Sequence, residues 1–176
     1  MKQHKGFTLI ELLMVVAVVG VMTTIAIPAV GEWIKNQRIK SQMYDLLNGL
    51  NIARSEAVKR KTNVSLCSST DQATCAASNT WSDGWILFID DDGNGIFDGT
   101  DEILGSAAAV SGSNAIRATQ SELTYEPDGS AKAITRFAIC DDRNEEYGRQ
   151  INVMLMGRAS VEGGSGVTIS DCVNPS

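Results

Sequence analysis

From Phe7 to Ile27 the chain runs for 21 residues with one charged side chain, Glu11, and the run stops at Pro28. At about 1.5 Å of rise per residue, a helix of this length covers roughly 30 Å, the hydrocarbon thickness of a bilayer. A cleaved secretory signal has a shorter apolar region followed by a small-residue cleavage site. No Ala-x-Ala pattern follows here before the chain turns polar. Residues 7–28 are therefore expected to form a retained helix that crosses a membrane. Lys2 and Lys5 precede it, so the positive-inside rule puts the start of the chain in the cytoplasm and the rest outside.

Glu11 is costly in this setting. A carboxylate in an apolar helix costs about 2.5–3.5 kcal/mol to insert and marks a functional position. No Lys or Arg lies between Phe7 and Glu32 to pair with it. Two readings stand on the residues alone. Glu11 snorkels to the headgroups, or, if the chain is cut before Phe7, it meets the new amino terminus of a neighbouring helix.

Charge divides the remainder. Residues 28–61 hold seven Lys/Arg against three Asp/Glu, and residues 62–176 hold six against seventeen. A basic segment is thus followed by an acidic head. Residues 29–61 are read as a continuation of the helix, with Val30, Trp33, Ile34, Met43, Leu46, Leu47, Leu50, Ala53, Ala57 and Val58 forming an apolar stripe. Lys35, Arg38, Lys40, Asp45, Arg54, Glu56, Lys59 and Arg60 are read as its solvated face. Pro28 is expected to kink the helix, with Gly20 a second weak point.

After Lys61 the pattern changes to short runs with β character between turn residues. Residues 62–67, 84–90, 133–140 and 150–156 are the best strands, and 115–119, 123–126, 158–162 and 167–170 are weaker. Asp92-Gly93-Asn94-Gly95, Pro127-Asp128-Gly129 and Gly163-Gly164-Ser165-Gly166 punctuate them. A helix followed by strands predicts an α+β protein: one long N-terminal helix and a β-rich, two-sheet globular head over residues 62–176. Cys67, Cys75, Cys140 and Cys172 lack zinc-type spacing. An even number beyond a membrane segment points to an oxidising compartment and two disulfides. Closure between sequence neighbours favours Cys67–Cys75 and Cys140–Cys172 among the three pairings.

Gly6-Phe7-Thr8-Leu9-Ile10-Glu11-Leu12-Leu13 resembles the processing site of type IV prepilins and pseudopilins. The resemblance implies a leader of residues 1–6, cleavage after Gly6 by a prepilin peptidase, N-methylation of Phe7, and pairing of Glu11 with a neighbouring subunit's amino terminus. Three further segments, 50–60, Gly84-Trp85-Ile86-Leu87-Phe88-Ile89-Asp90 and Glu126-Pro127-Asp128-Gly129-Ser130, together with Gly157-Arg158, are similar to the FimT/FimU and GspH group of minor pilins and pseudopilins. That group implies a low-abundance structural subunit near a pilus tip that primes assembly, serving twitching motility, adhesion or DNA uptake. A type II secretion pseudopilin of the H type and a DNA-binding competence pilin are the alternatives. The implied partners are other minor and major pilins, the peptidase, an inner-membrane assembly platform and the lipid bilayer. The implied location is a single-pass inner-membrane state with the head in the periplasm, followed by the pilus or pseudopilus.

Two segments carry candidate ligand chemistry. Asp90, Asp92, Asn94, Asp98 and Asp101 fall at calcium-loop positions 1, 3, 5, 9 and 12, with Gly95 at the bend. Position 12 is Asp rather than the usual Glu, and strands flank the loop, so an acidic hairpin turn is the competing reading. Calcium is the one cofactor the sequence offers. Some FimT-like relatives are thought to bind DNA through a late Gly-Arg-x-Arg motif. Here Ser160 replaces the second arginine, leaving Arg158 alone in an acidic head, whereas phosphate binding needs clustered Lys/Arg. Trp33, Trp81, Trp85, Tyr44, Tyr125 and Tyr147 are read as core or subunit-contact residues. No enzyme site is expected, since the one histidine is His4 and no nucleophile elbow or phosphate loop occurs. The acidic pairs Asp141-Asp142 and Glu145-Glu146, beside Arg143 and Asn144, are read as a solvated, partly paired turn.

Overall fold

The computed structural model describes residues 7–99, 101–143 and 147–163, without the side chains of 24–29. The leader, Cys172 and the weak strand expected at 167–170 lie outside the described residues. The chain divides into two compact units, residues 1–37 and 38–176.

One helix, α1, runs from Leu9 to Arg60. The Thr8 hydroxyl accepts the Glu11 amide N–H at 3.3 Å, occupying a donor that the first turn leaves open. The helix is continuous through Gly20 and Pro28, so the proline does not end it. At the other end Lys61 takes a left-handed conformation, φ 58°, and its N–H bonds back to Ala57 at 2.9 Å. Lys59 and Arg60 sit in the last turn, where positive charge suits the helix dipole, and both pair with Glu56.

In the first unit every side chain from Phe7 to Thr23 is exposed. No helix among the described residues is long and apolar enough to cross a membrane. The side chains of 24–29, at the end of the expected span, are not among those described.

In the second unit α1 buries Ile39, Met43, Leu46, Leu50, Ala53 and Ala57. This corrects both ends of the sequence-derived stripe. Ile39 belongs to it, whereas Val30, Trp33, Ile34 and Val58 are exposed. Gly49 is also packed tightly, since a Cβ there would meet the Trp85 ring at 2.5 Å.

Two antiparallel four-stranded sheets complete the head. The first has the order β3-β2-β1-β5, from Glu102–Ala108 (β3), Gly84–Asp90 (β2), Asn63–Ser68 (β1) and Glu122–Tyr125 (β5). The second has the order β4-β6-β7-β8, from Ala115–Ala118 (β4), Thr135–Cys140 (β6), Arg149–Val153 (β7) and Ala159–Gly163 (β8). Alternation along the strands sends Val64, Leu66, Leu87, Leu123, Phe137, Ile139, Ile151 and Val153 into one core with the helix. Trp81 joins it, meeting Phe137 edge-on at 4.9 Å and donating its indole N–H to the Gln120 carbonyl at 3.0 Å.

β3 was not among the expected strands. Its sequence, EILGSAA, ends in small residues, and its mostly exposed side chains hide the alternation. β7 ends at Val153 rather than 156, because residues 154–158 form the tight turn to β8.

The first sheet is covered on both faces. Val64, Leu66 and Leu87 point to the main core, while Cys67, Ile86 and Phe88 form a smaller one with Cys75 and Phe97.

Candidate functional site

The amino-terminal candidates sit on exposed helix. Phe7 is 81% exposed and Glu11 is also exposed. Gly6 lies outside the described residues.

Three of the segments singled out in the sequence meet in the head. Arg54, on α1, donates from Nε to the Gly129 carbonyl and from Nη2 to the Met156 carbonyl, both at 2.9 Å. Each acceptor belongs to a tight turn, closed by Gly129 N–H to Glu126 O and by Gly157 N–H to Met154 O, both 2.8 Å. Ala131 N–H ties the turns together through Leu155 O at 2.9 Å. Gly157 has φ 72°, and a Cβ there would collide with the Gly129 carbonyl, so the turns can touch only with glycine at this place. The reading of Arg54 as solvated is thereby corrected: it is a strut between the helix and both turns. The shared motif around it was the signal that marked it.

Arg158 follows this junction. It is exposed, and among the described residues its guanidinium has no hydrogen-bond or ion-pair partner. Ser160, in the place of a second arginine, donates to the Asn152 carbonyl at 3.4 Å. The outer surface of the turn is apolar, with Met154, Leu155 and Met156 exposed.

The acidic loop is organised by its own carboxylates. Asp90 is fully buried and accepts Ser65 Oγ at 2.5 Å, Asn94 N–H at 3.0 Å and Gly95 N–H at 2.9 Å. Asp92 accepts from Asn94 N and Nδ2, Asn94 Oδ1 accepts Ile96 N–H, and Asp101 accepts Asp98 N–H. The Lys132 ammonium donates to the Gly93 carbonyl. Burial pushes the Asp101 carboxyl above its ordinary range, and the charges of Asp98 and Asp90 add to this. Among the described residues no group of three or more His, Cys, Asp or Glu forms a metal cage. The five calcium candidates share a loop, in which side-chain oxygens of Asp90, Asp92, Asn94 and Asp101 accept from amide or hydroxyl donors.

Cys67 and Cys75 are disulfide-bonded as expected. Cys140 is also disulfide-bonded, and its expected partner, Cys172, lies outside the described residues. Of the aromatics, Trp81, Trp85 and Tyr125 are core residues, whereas Trp33, Tyr44 and Tyr147 are exposed. Asp141 and Arg143 form a 2.5 Å ion pair whose side chains are nearly buried, so this turn is less solvated than its charge suggests. Glu145 and Glu146 lie outside the described residues.

The profile of the Type II transport protein GspH family matches residues 43–157, about two thirds of the chain. This chain belongs to the GspH family. The prokaryotic N-terminal methylation motif matches residues 1–27. Membership makes the chain a pilin or pseudopilin subunit, a structural protein rather than an enzyme.

The fimbrial protein EcpC of Eikenella corrodens is 27% identical over 142 residues, 80% of this chain and 92% of that protein. A fimbrial protein of Moraxella nonliquefaciens is 40% identical over 55 residues, 31% of this chain and only 35% of that protein. The crystal structure of the Pseudomonas aeruginosa type IV minor pilin FimU has a TM-score of 0.63 at 20% identity, covering 78% of this chain and 97% of FimU. The minor pseudopilin EpsH from the type 2 secretion system of Vibrio cholerae has a TM-score of 0.51 at 10% identity, covering 72% and 97%. At these identities the likeness establishes the fold: this GspH-family chain has a long helix followed by two antiparallel sheets, as FimU does.

Proposed function

We propose that this protein is a minor type IV pilin that primes assembly from the tip of a surface filament. The observation that carries the reading is the apolar helical surface from Phe7 to Thr23, exposed throughout and interrupted by one carboxylate, Glu11. A surface of this kind requires cover, first by lipid and then by the helices of neighbouring subunits. Cleavage after Gly6 by a prepilin peptidase and methylation of Phe7 would leave an amino terminus for a partner's carboxylate. Glu11 would then set register as apolar packing drives extraction from the inner membrane. The likeness to FimU, itself a minor pilin, supports the choice of a pilus.

The family description favours a second reading, a type II secretion pseudopilin of the H type. Mass spectrometry of pili sheared from cells separates the two. Peptides of this subunit at low stoichiometry in the sheared fraction are the expected result. Their confinement to the cell envelope, with pili abundant, would overturn the surface-pilus reading in favour of the pseudopilus.

A further inference from the structure

We propose that the Cys67–Cys75 disulfide is a clasp holding the second half of the acidic loop, so that the redox state of these cysteines sets the order of residues 96–99. The inference does not depend on which filament the subunit enters.

The two halves of the acidic loop are anchored by different chemistry. Residues 91–95 hang on the buried Asp90 carboxylate, through the Asn94 and Gly95 amides. Beyond them Ile96 is 61% exposed with its N–H on Asn94 Oδ1, Asp98 N–H bonds Asp101, and the side chain that packs this segment on the sheet is Phe97. Its ring meets Phe88 edge-on at 5.4 Å, and its N–H points at Cys75 Sγ at 3.4 Å. Phe97 and Cys75 pack together on Cys67, Ile86 and Phe88, on the side of the first sheet away from α1. The disulfide therefore forms part of the floor on which Phe97 rests.

Contacts within the loop flank Cys75, but the tie from Cys75 to the sheet beneath Phe97 is the disulfide. Its loop holds Gln72 at φ 60° and Ala77 at φ 49°, left-handed conformations that residues with a Cβ disfavour. Asp71 gathers residues 69–74, Ala76 N–H bonds Ser68 O at 2.8 Å, and Ser68 Oγ donates to Ser78 O at 2.7 Å, but none of these contacts reaches Phe97. A dithiol that cleaves the Sγ–Sγ bond passes two electrons and two protons to the protein. It leaves thiols on Cys67 and Cys75 and becomes a disulfide itself. Cys75 can then swing away, and Phe97 loses both its sulfur contact and one wall of its site.

Hydrogen exchange of the full-length chain in detergent tests this, with Cys67→Ser/Cys75→Ser so that the Cys140 disulfide stays intact. Exchange is expected to rise on the order of tenfold in 70–78 and 96–99 while 91–95 and β7 keep their protection. Phe97→Ala, with the disulfide present, is expected to raise exchange in 96–99 alone. A rise confined to 70–78 in the double variant, or unchanged 96–99 in either variant, overturns the clasp. A rise throughout the head overturns it too, since the bond would then be holding the whole fold.

Discussion

Trp85 of β2 lies against Gly49 of α1 so closely that a Cβ on Gly49 would stand 2.5 Å from the indole Cη2. Helix propensity alone favours Ala over Gly by about 1 kcal/mol. Overpacking a filled core costs about 1–3 kcal/mol. Gly49→Ala is therefore expected to lower stability, read as a lower urea midpoint at unchanged slope. A midpoint equal to or above that of the natural chain would mean that the indole moves aside without loss.

Arg54 joins three segments through two charge-assisted hydrogen bonds. Hydrogen bonds to charged groups contribute about 1.5–3 kcal/mol each. Because the bond to Met156 is exposed to solvent, Arg54→Ala should cost about 2–4 kcal/mol rather than the full sum, and Arg54→Lys, which cannot span two acceptors with a planar fork, should recover less than half. Thermal unfolding checks both. Full rescue by lysine would show that only the charge matters.

The Tyr125 hydroxyl is buried with no hydrogen-bond partner among the described residues, and burial pushes its pKa up. An unsatisfied buried polar group costs about 1–3 kcal/mol. Tyr125→Phe is expected to be neutral or stabilising by about 1 kcal/mol. A clear loss of stability in chemical denaturation would reveal a partner for the hydroxyl.

Acid should weaken the head for a specific reason. The Asp71 carboxylate accepts the Ala73 and Thr74 amides and the Thr74 and Ser69 hydroxyls, which hold it well below its ordinary 3.8. Hydrogen bonds from Ser130 lower Asp128 in the same way. A folded-state pKa below the unfolded one contributes stability above roughly pH 4 that is lost as pH falls through the folded value. Asp101 has the opposite sign, because a raised pKa makes its ionisation unfavourable in the fold as pH rises past 3.8. Asp71→Ala should flatten the acid limb of stability against pH, and Asp101→Asn should gain stability at neutral pH but not at pH 3. Unchanged limbs would remove these carboxylates from the account.

Glu11→Ala tests the filament role. On the proposed role, the variant stays in the membrane fraction yet is depleted from sheared filaments, because the carboxylate proposed to meet a neighbour's amino terminus is gone. Normal incorporation would show that the carboxylate does no more than reach the headgroups.

Much of this was legible along the chain. The apolar run with its single carboxylate, the change from helical to strand spacing after Lys61, and the near-neighbour cysteines are local patterns. Local patterns follow from backbone periodicity and hydropathy, which need no partner from elsewhere in the chain. They were enough for a long helix, a β-rich head and the Cys67–Cys75 bond.

Tertiary structure decided the rest, because it brings together residues that sequence keeps apart. β3 becomes a strand by pairing with β2, although its small residues have little strand character of their own. Asp90 reads as one more acid of a charged loop, but in the fold it is buried and accepts hydrogen bonds from Ser65, Asn94 and Gly95. Arg54 reads as one more surface cation until two carbonyls, 75 and 102 residues away, come within 2.9 Å. The sequence by itself determined the helix and the class of fold, since both are written in short-range spacing, and it carried a stretch that resembles a filament processing site. Only the folded head decided which polar groups became internal supports, because burial and hydrogen bonding are properties of what surrounds a side chain.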